Sequence, residues 1–207
     1  QTLPTPSPTP TATPTPQPTP NPPNPPSPPK GETRAQRPER VRREAVPADP
    51  RVIAALAGAL KDTDVEVRQQ AAHSLGQMRD PAAVDALIPA LQDTDVEVRQ
   101  NVVFALGQLR DVRAIPGLTI ALKDANEEVR QRAAFALAQL RDPRAVDPLL
   151  IAAKDANPDV RRQALFAIGQ IDPSRGKDAA IEALKDKDAE VRRMAAHLLG
   201  RLASERE

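Results

Sequence analysis

The sequence predicts an all-α protein, a right-handed α-solenoid of helical hairpins preceded by a disordered stalk rich in proline and threonine. Three observations predict it. A motif returns every 31 residues without a net insertion or deletion. Asp62, Asp93, Asp124, Asp155 and Asp186 share one column, and Arg68, Arg99, Arg130, Arg161 and Arg192, each behind a valine, share another. Every full copy holds two stretches whose apolar residues recur at helical spacing, which selects helices among the architectures built on a period of this length. Finally, composition breaks sharply near Lys30, where alternating prolines give way to charged and apolar residues.

Taken in order, residues 1–35 form the first segment and 36–207 the solenoid, of about five repeats. From Gln1 to Pro29 proline alternates with threonine, serine and asparagine, a composition that buries no apolar face and favours extended polyproline II. At about 3.1 Å per residue such a stalk spans up to roughly 90 Å. The competing reading takes Pro20, Pro23, Pro26 and Pro29 as ligand turns; composition favours the passive spacer. Glu39 to Ala45 reads as a short helix covering the open end of the first repeat, with Arg40, Arg42 and Arg43 either solvated or facing an acidic partner. The chain starts at Gln1 with neither methionine nor signal peptide, which suggests processing or a piece of something longer.

Asp49-Pro50 opens the first outer helix, Arg51 to Leu60. Asp64 caps the first inner helix, whose stripe Val67, Ala71, Ser74, Leu75 and Met78 follows one face; Asn157-Pro158 repeats the cap in the fourth copy. Asp80-Pro81 opens the next outer helix, with Val84, Leu87, Ile88 and Leu91 on its apolar side. Pro89, Pro116 and Pro148 fall inside the outer pattern and are expected to bend or interrupt it. In the fourth unit Asp172-Pro173 arrives one residue early and Gly176 follows, so that outer helix is expected to be short and to begin near Lys177. The last inner helix runs from Ala189 to Leu202.

Two helices in 31 residues, the Asp and Arg columns, and strings such as Val98-Arg99, Val102-Val103 and Leu106-Gly107 resemble the HEAT-like repeats of the phycobilin-lyase type. They are also similar to the designed αRep scaffolds derived from that family. The resemblance covers Asp49 to Leu202. It implies a stack of hairpins whose inner helices line a concave, partner-binding surface, and an Asp–Arg ladder that serves stacking.

Composition narrows the chemistry. Without cysteine, tryptophan or tyrosine there is no disulfide, thiol catalysis or cysteine metal site, and a net charge of +1 argues neither for nucleic acid nor for an anionic membrane. No apolar run reaches the ~18 residues of a membrane span. His73 and His197 lie four repeats apart, roughly 40 Å at about 10 Å per helix layer, too far to share a metal or a proton. The His-Glu pairs of the di-iron HEAT hydroxylases are absent, so neither a catalytic site nor a cofactor is expected.

The Asp and Arg columns read as a ladder tying adjacent loops through bidentate bonds, in preference to a binding surface. Gly76, Gly107, Ala138, Gly169 and Gly200 read as close-approach positions between inner helices. His73, by contrast, lies about 160° from the centre of the core stripe. Its column, His73, Phe104, Phe135, Phe166 and His197, holds every phenylalanine and histidine of the protein. Beside it run Gln70, Asn101, Arg132, Gln163 and Met194, and then Gln77, Gln108, Gln139, Gln170 and Arg201. Three aligned rings off the core point to a partner-binding face. The alternative is that they fill grooves between repeats. The sequence thus predicts a monomeric, non-catalytic protein- or peptide-binding scaffold, extracytoplasmic and bacterial by the character of its linker, binding no nucleic acid and inserting in no membrane. An accessory or sensor segment of a larger membrane-anchored or secreted enzyme is the second expectation, and a phycobilin lyase or isomerase the third.

Overall fold

In the computed structural model, residues 49–204 are described; the stalk, the expected 1–35 segment and the Glu39–Ala45 cap lie outside them. Among the described residues ten α-helices follow one another in outer–inner pairs: α1 (Pro50–Ala59) with α2 (Val65–Met78), α3 (Val84–Ala90) with α4 (Val96–Leu109), α5 (Ile115–Ala121) with α6 (Glu127–Leu140), α7 (Val146–Ala152) with α8 (Pro158–Ile171), and α9 (Pro173–Ala183) with α10 (Ala189–Ser204). The inner helices stack in one layer and the outer ones in a second, an α-solenoid.

Local chemistry places the helix starts. Asp64, Asp95, Asn126 and Asn157 sit in extended backbone, and their side chains accept from backbone N–H groups of the first turn, as from Val98 at 3.0 Å and Glu128 at 2.9 Å. A single residue reverses the chain after α2, α4 and α6. Arg79, Arg110 and Arg141 adopt left-handed φ values of 51–52°, and an aspartate then caps a 3₁₀ turn (Pro81–Ala83, Val112–Ala114 and Pro143–Ala145) that leads into the outer α-helix. The outer helix is thus divided at the 3₁₀ turn, ahead of Pro89, Pro116 and Pro148 and not at these prolines, where the sequence predicts the interruption. Pro116 and Pro148 are the second and third residues of α5 and α7, early positions where a missing N–H forfeits no intrahelical bond. Pro89 lies inside α3, one residue before its end.

The connection from α8 to α9 corrects the sequence reading. α9 begins at Pro173 rather than near Lys177, and with 11 residues it exceeds the seven of α3, α5 and α7. Asp172 stands where the other copies place the left-handed arginine. It is extended (φ −136°) and serves twice: its N–H bonds the Ile168 carbonyl at 2.8 Å to close α8, and its side chain accepts from the Arg175 N–H at 3.0 Å to open α9. Gly176 marks a close crossing with α8, since a Cβ there would stand 2.6 Å from the Cα of Gly169.

Leu75, Leu106, Leu137 and Ile168 from the inner layer and Leu87, Leu118 and Leu149 from the outer layer are fully buried and form the core between layers. A smaller cluster of Ala180, Ala195, Leu198 and Leu202 joins α9 to α10. Val67 departs from its expected core role: it is 40% exposed, whereas Val98, Val129, Val160 and Val191 in the same column are buried. Each of those four packs on the preceding repeat, and Val67 has no earlier described repeat to pack on.

Candidate functional site

The face is built on the inner helices, so the ladder that spaces them comes first. Each ladder arginine grips two loops. Arg130 donates from Nε and Nη2 to the two carboxylate oxygens of Asp155, at 2.8 and 3.0 Å, and from Nη1 to the carbonyls of Asp124 (2.9 Å) and Ala125 (3.1 Å) in its own loop. Arg68–Asp93, Arg99–Asp124 and Arg161–Asp186 repeat the arrangement. Burial pushes the carboxyls of Asp93, Asp124 and Asp155 up, but the arginine bonds and a backbone N–H outweigh it, and all three stay below the ordinary range. In Asp186 the Arg161 hydrogen bonds are the dominant effect, in the same direction. These four rungs are structural devices, each engaged between adjacent repeats.

Small residues set the inner spacing. A Cβ on Gly76 would lie 2.7 Å from the Ala105 Cα, one on Gly107 3.1 Å from the Ala136 Cβ, and one on Gly169 would collide with Leu198. Gly200, expected to play the same part, has nothing within 4 Å of that position, because no further described repeat packs on it. Between successive outer helices, by contrast, lie open grooves of about 430, 610 and 780 Å³. A stack packed tightly on one side and open on the other curves toward the tight side. The close glycine contacts of the stack thus lie on the inner helices, whose face turned away from the outer layer is the inward one.

On that inward face Phe104 and Phe135 are 39% and 47% exposed, His197 is exposed, and His73 and Phe166 are half-buried. His73 and Phe104 stack across the first junction, with ring centroids 6.5 Å apart and planes within 7°. The rings are neither free of the protein nor part of its core: each leans on its own layer and leaves one side open. Gln77 bonds His73 at 2.9 Å. Gln108, Gln139 and Gln170 are half-buried and make no side-chain hydrogen bond among the described residues. Gln163 on the same face carries a buried Nε2 without a partner. A second glutamine column is internal, Gln69 donating to Glu97 at 3.1 Å and Gln100 to Glu128 at 2.8 Å, and so stiffens the junctions.

Sequence reasoning missed the outer surface. Ile120 and Ile151, one repeat apart, are 62% and 67% exposed and line the outer grooves. The signal was available as two isoleucines in a column whose neighbouring copies hold Pro89 and Glu182. No three His, Cys, Asp or Glu side chains converge on a metal position among the described residues, and none of their helices is long and apolar enough to cross a membrane.

Comparison with known families agrees with this architecture. The model of HEAT repeats matches residues 38–96, 84–155 and 146–207, nearly the whole of the chain outside the proline-rich start. The chain belongs to the HEAT-repeat family. Among solved structures it is similar to the complex of CpcE and CpcF of phycocyanin lyase from Nostoc, with 28% identity and a TM-score of 0.61 over 73% of this chain and 65% of that one. This HEAT-repeat chain thus spans just under two thirds of that relative's length. A designed armadillo repeat protein in complex with the peptide (KR)4 (21% identity, TM-score 0.56, 72% of this chain and 81% of that one) and an engineered protein (24%, 0.54, 73% and 81%) share the fold. No curated protein matches the sequence.

Proposed function

We propose that this HEAT-repeat scaffold is a non-catalytic binding module for a protein or peptide, and that its site is the inward face of the inner helices. The observation that carries the reading is the column of half-open rings, Phe104, Phe135 and Phe166, flanked by His73 and His197 and bordered by Gln108, Gln139 and Gln170 with unused amides. Covering the open side of one such ring is worth about 1–2 kcal/mol, so affinity requires several rings together and hence an elongated partner. The glutamines offer both donors and acceptors to its backbone. Concave repeat surfaces commonly serve this purpose, and the composition of residues 1–29 favours an extracytoplasmic setting.

The test is selection of peptides from a random library on the wild-type protein, followed by titration of the Phe104→Ser/Phe135→Ser/Phe166→Ser variant. Peptides are expected to lose about a hundredfold in affinity, the equivalent of roughly 3 kcal/mol, while helix content is retained. Peptides that bind both proteins equally place recognition elsewhere and overturn the proposal. Pigment attachment is a second reading, favoured by the likeness to a phycocyanin lyase; a bilin-transfer assay with an acceptor protein decides it.

A further inference from the structure

Every junction inside the solenoid is built from the same parts, and the two ends of the described stack expose the two unmatched halves of one more junction. At the C-terminal end Arg192 donates from Nη1 to the carbonyls of Asp186 (2.7 Å) and Lys187 (2.9 Å), as its four counterparts do to theirs, but has no carboxylate to grip among the described residues. At the N-terminal end Asp62 accepts the N–H of Asp64, at 2.8 Å, and no arginine among the described residues reaches its carboxylate. Among the described residues the ladder thus ends in an arginine without a carboxylate on one side and an aspartate without an arginine on the other.

The apolar surfaces are open in the same complementary way. Leu184 on α9 is 42% exposed, although Leu60, Leu91 and Leu122 in its column are buried by the next outer helix. Ala196 on α10 is exposed where Ala72, Val103, Ala134 and Leu165 are buried, and Gly200 faces empty space where Gly76, Gly107 and Gly169 face a neighbouring helix. On the opposite end Val52 is 46% exposed where Ala83, Ala114 and Ala145 are buried, and Val67 is open as described above. Ser74 occupies the position from which Ala105 and Ala136 meet the glycines of the preceding repeat, and it is small enough for Gly200.

We infer that the occupant of each end is a second copy of this chain, docked head to tail, with α1 and α2 of one copy stacking on α9 and α10 of the next. The helices come in whole outer–inner pairs from α1 to α10, so the next copy continues the alternation in register. The junction pairs Arg192 with Asp62, sets Gly200 against Ser74 and covers Leu184, Ala196, Val52 and Val67. Such a contact is heterologous and does not close on itself, so association is open-ended. It departs from the monomer expected from the sequence and is independent of what binds the inward face.

Sedimentation equilibrium of the full chain tests this. The weight-average mass of the wild type is expected to rise with concentration through successive multiples of 22.3 kDa, without stopping at a pair. Arg192→Asp alone and Asp62→Arg alone are each expected to remain single chains. An equimolar mixture of the two restores an opposite-charge pair at every contact, native where Arg192 of one variant meets Asp62 of the other and reversed at the next junction, so it is expected to associate in alternating, open-ended fashion like the wild type. Gly200→Leu, which meets nothing within a single chain, is expected to keep its helix content and abolish association. A wild type that stays a single chain has its ends covered by something else and overturns the proposal. So does a closed pair, and so does a mixture that remains monomeric while the wild type associates.

Discussion

Arg130→Ala removes the central rung of the ladder. The substitution deletes two bonds to Asp155 and two to the carbonyls of Asp124 and Ala125, and leaves the Asp155 carboxylate with the Asn157 N–H at 2.8 Å. Removing one partner of a buried pair costs about 3–5 kcal/mol; here both side chains keep a little exposure, and water entering beside Asp155 brings the loss to about 2–3 kcal/mol. For a protein of this size that corresponds to a fall in Tm of about 5–10 °C. Arg132 is exposed on α6 and makes no side-chain bond among the described residues, so Arg132→Ala changes stability by less than about 0.5 kcal/mol. Differential scanning calorimetry of the two variants compares them directly.

The pH dependence gives a second readout for the same rung. Asp155 titrates below its ordinary value of 3.8 in the folded protein, because the Arg130 and Asn157 hydrogen bonds overcome the upward push of burial. A group depressed on folding contributes stability above its unfolded pKa and loses it as pH falls through the folded one. The gap between wild type and Arg130→Ala is therefore full above about pH 4 and narrows below it. Equal Tm values for Arg130→Ala and Arg132→Ala at neutral pH would refute the structural reading of the ladder.

Two further outcomes follow from backbone proximity and capping. Gly76→Ala forces a methyl into the Ala105 backbone and is expected to destabilise by about 1–3 kcal/mol, whereas Gly200→Ala meets nothing and gains about 0.5–1 kcal/mol of helix propensity; chemical denaturation of both gives the sign of each. Asp172→Ala removes the side-chain cap of α9 and should cost about 1 kcal/mol, seen as earlier loss of amide protection in Pro173–Ala183 than in α7.

By itself the sequence determined the helical hairpins, their register, the caps at Asp64 and Asn157, and the pairing of the Asp and Arg columns. These are legible because cap chemistry and helical periodicity act over a few residues, and because an exact repeat makes each copy's neighbour another copy of itself. The binding face was legible as a column, since Phe104, Phe135 and Phe166 recur off the core stripe. Only the tertiary structure decided how deep those rings sit, because that depends on the side chains across each junction. It also decided that α9 starts at Pro173, since Asp172 closes one helix and opens the next, and that Gly76 is closed while Gly200 is open. Val67 and Leu184 make the same point. Each carries its column's residue type, yet each is exposed, because burial at a repeat position is conferred by the neighbouring repeat, and at the ends of the described stack there is none.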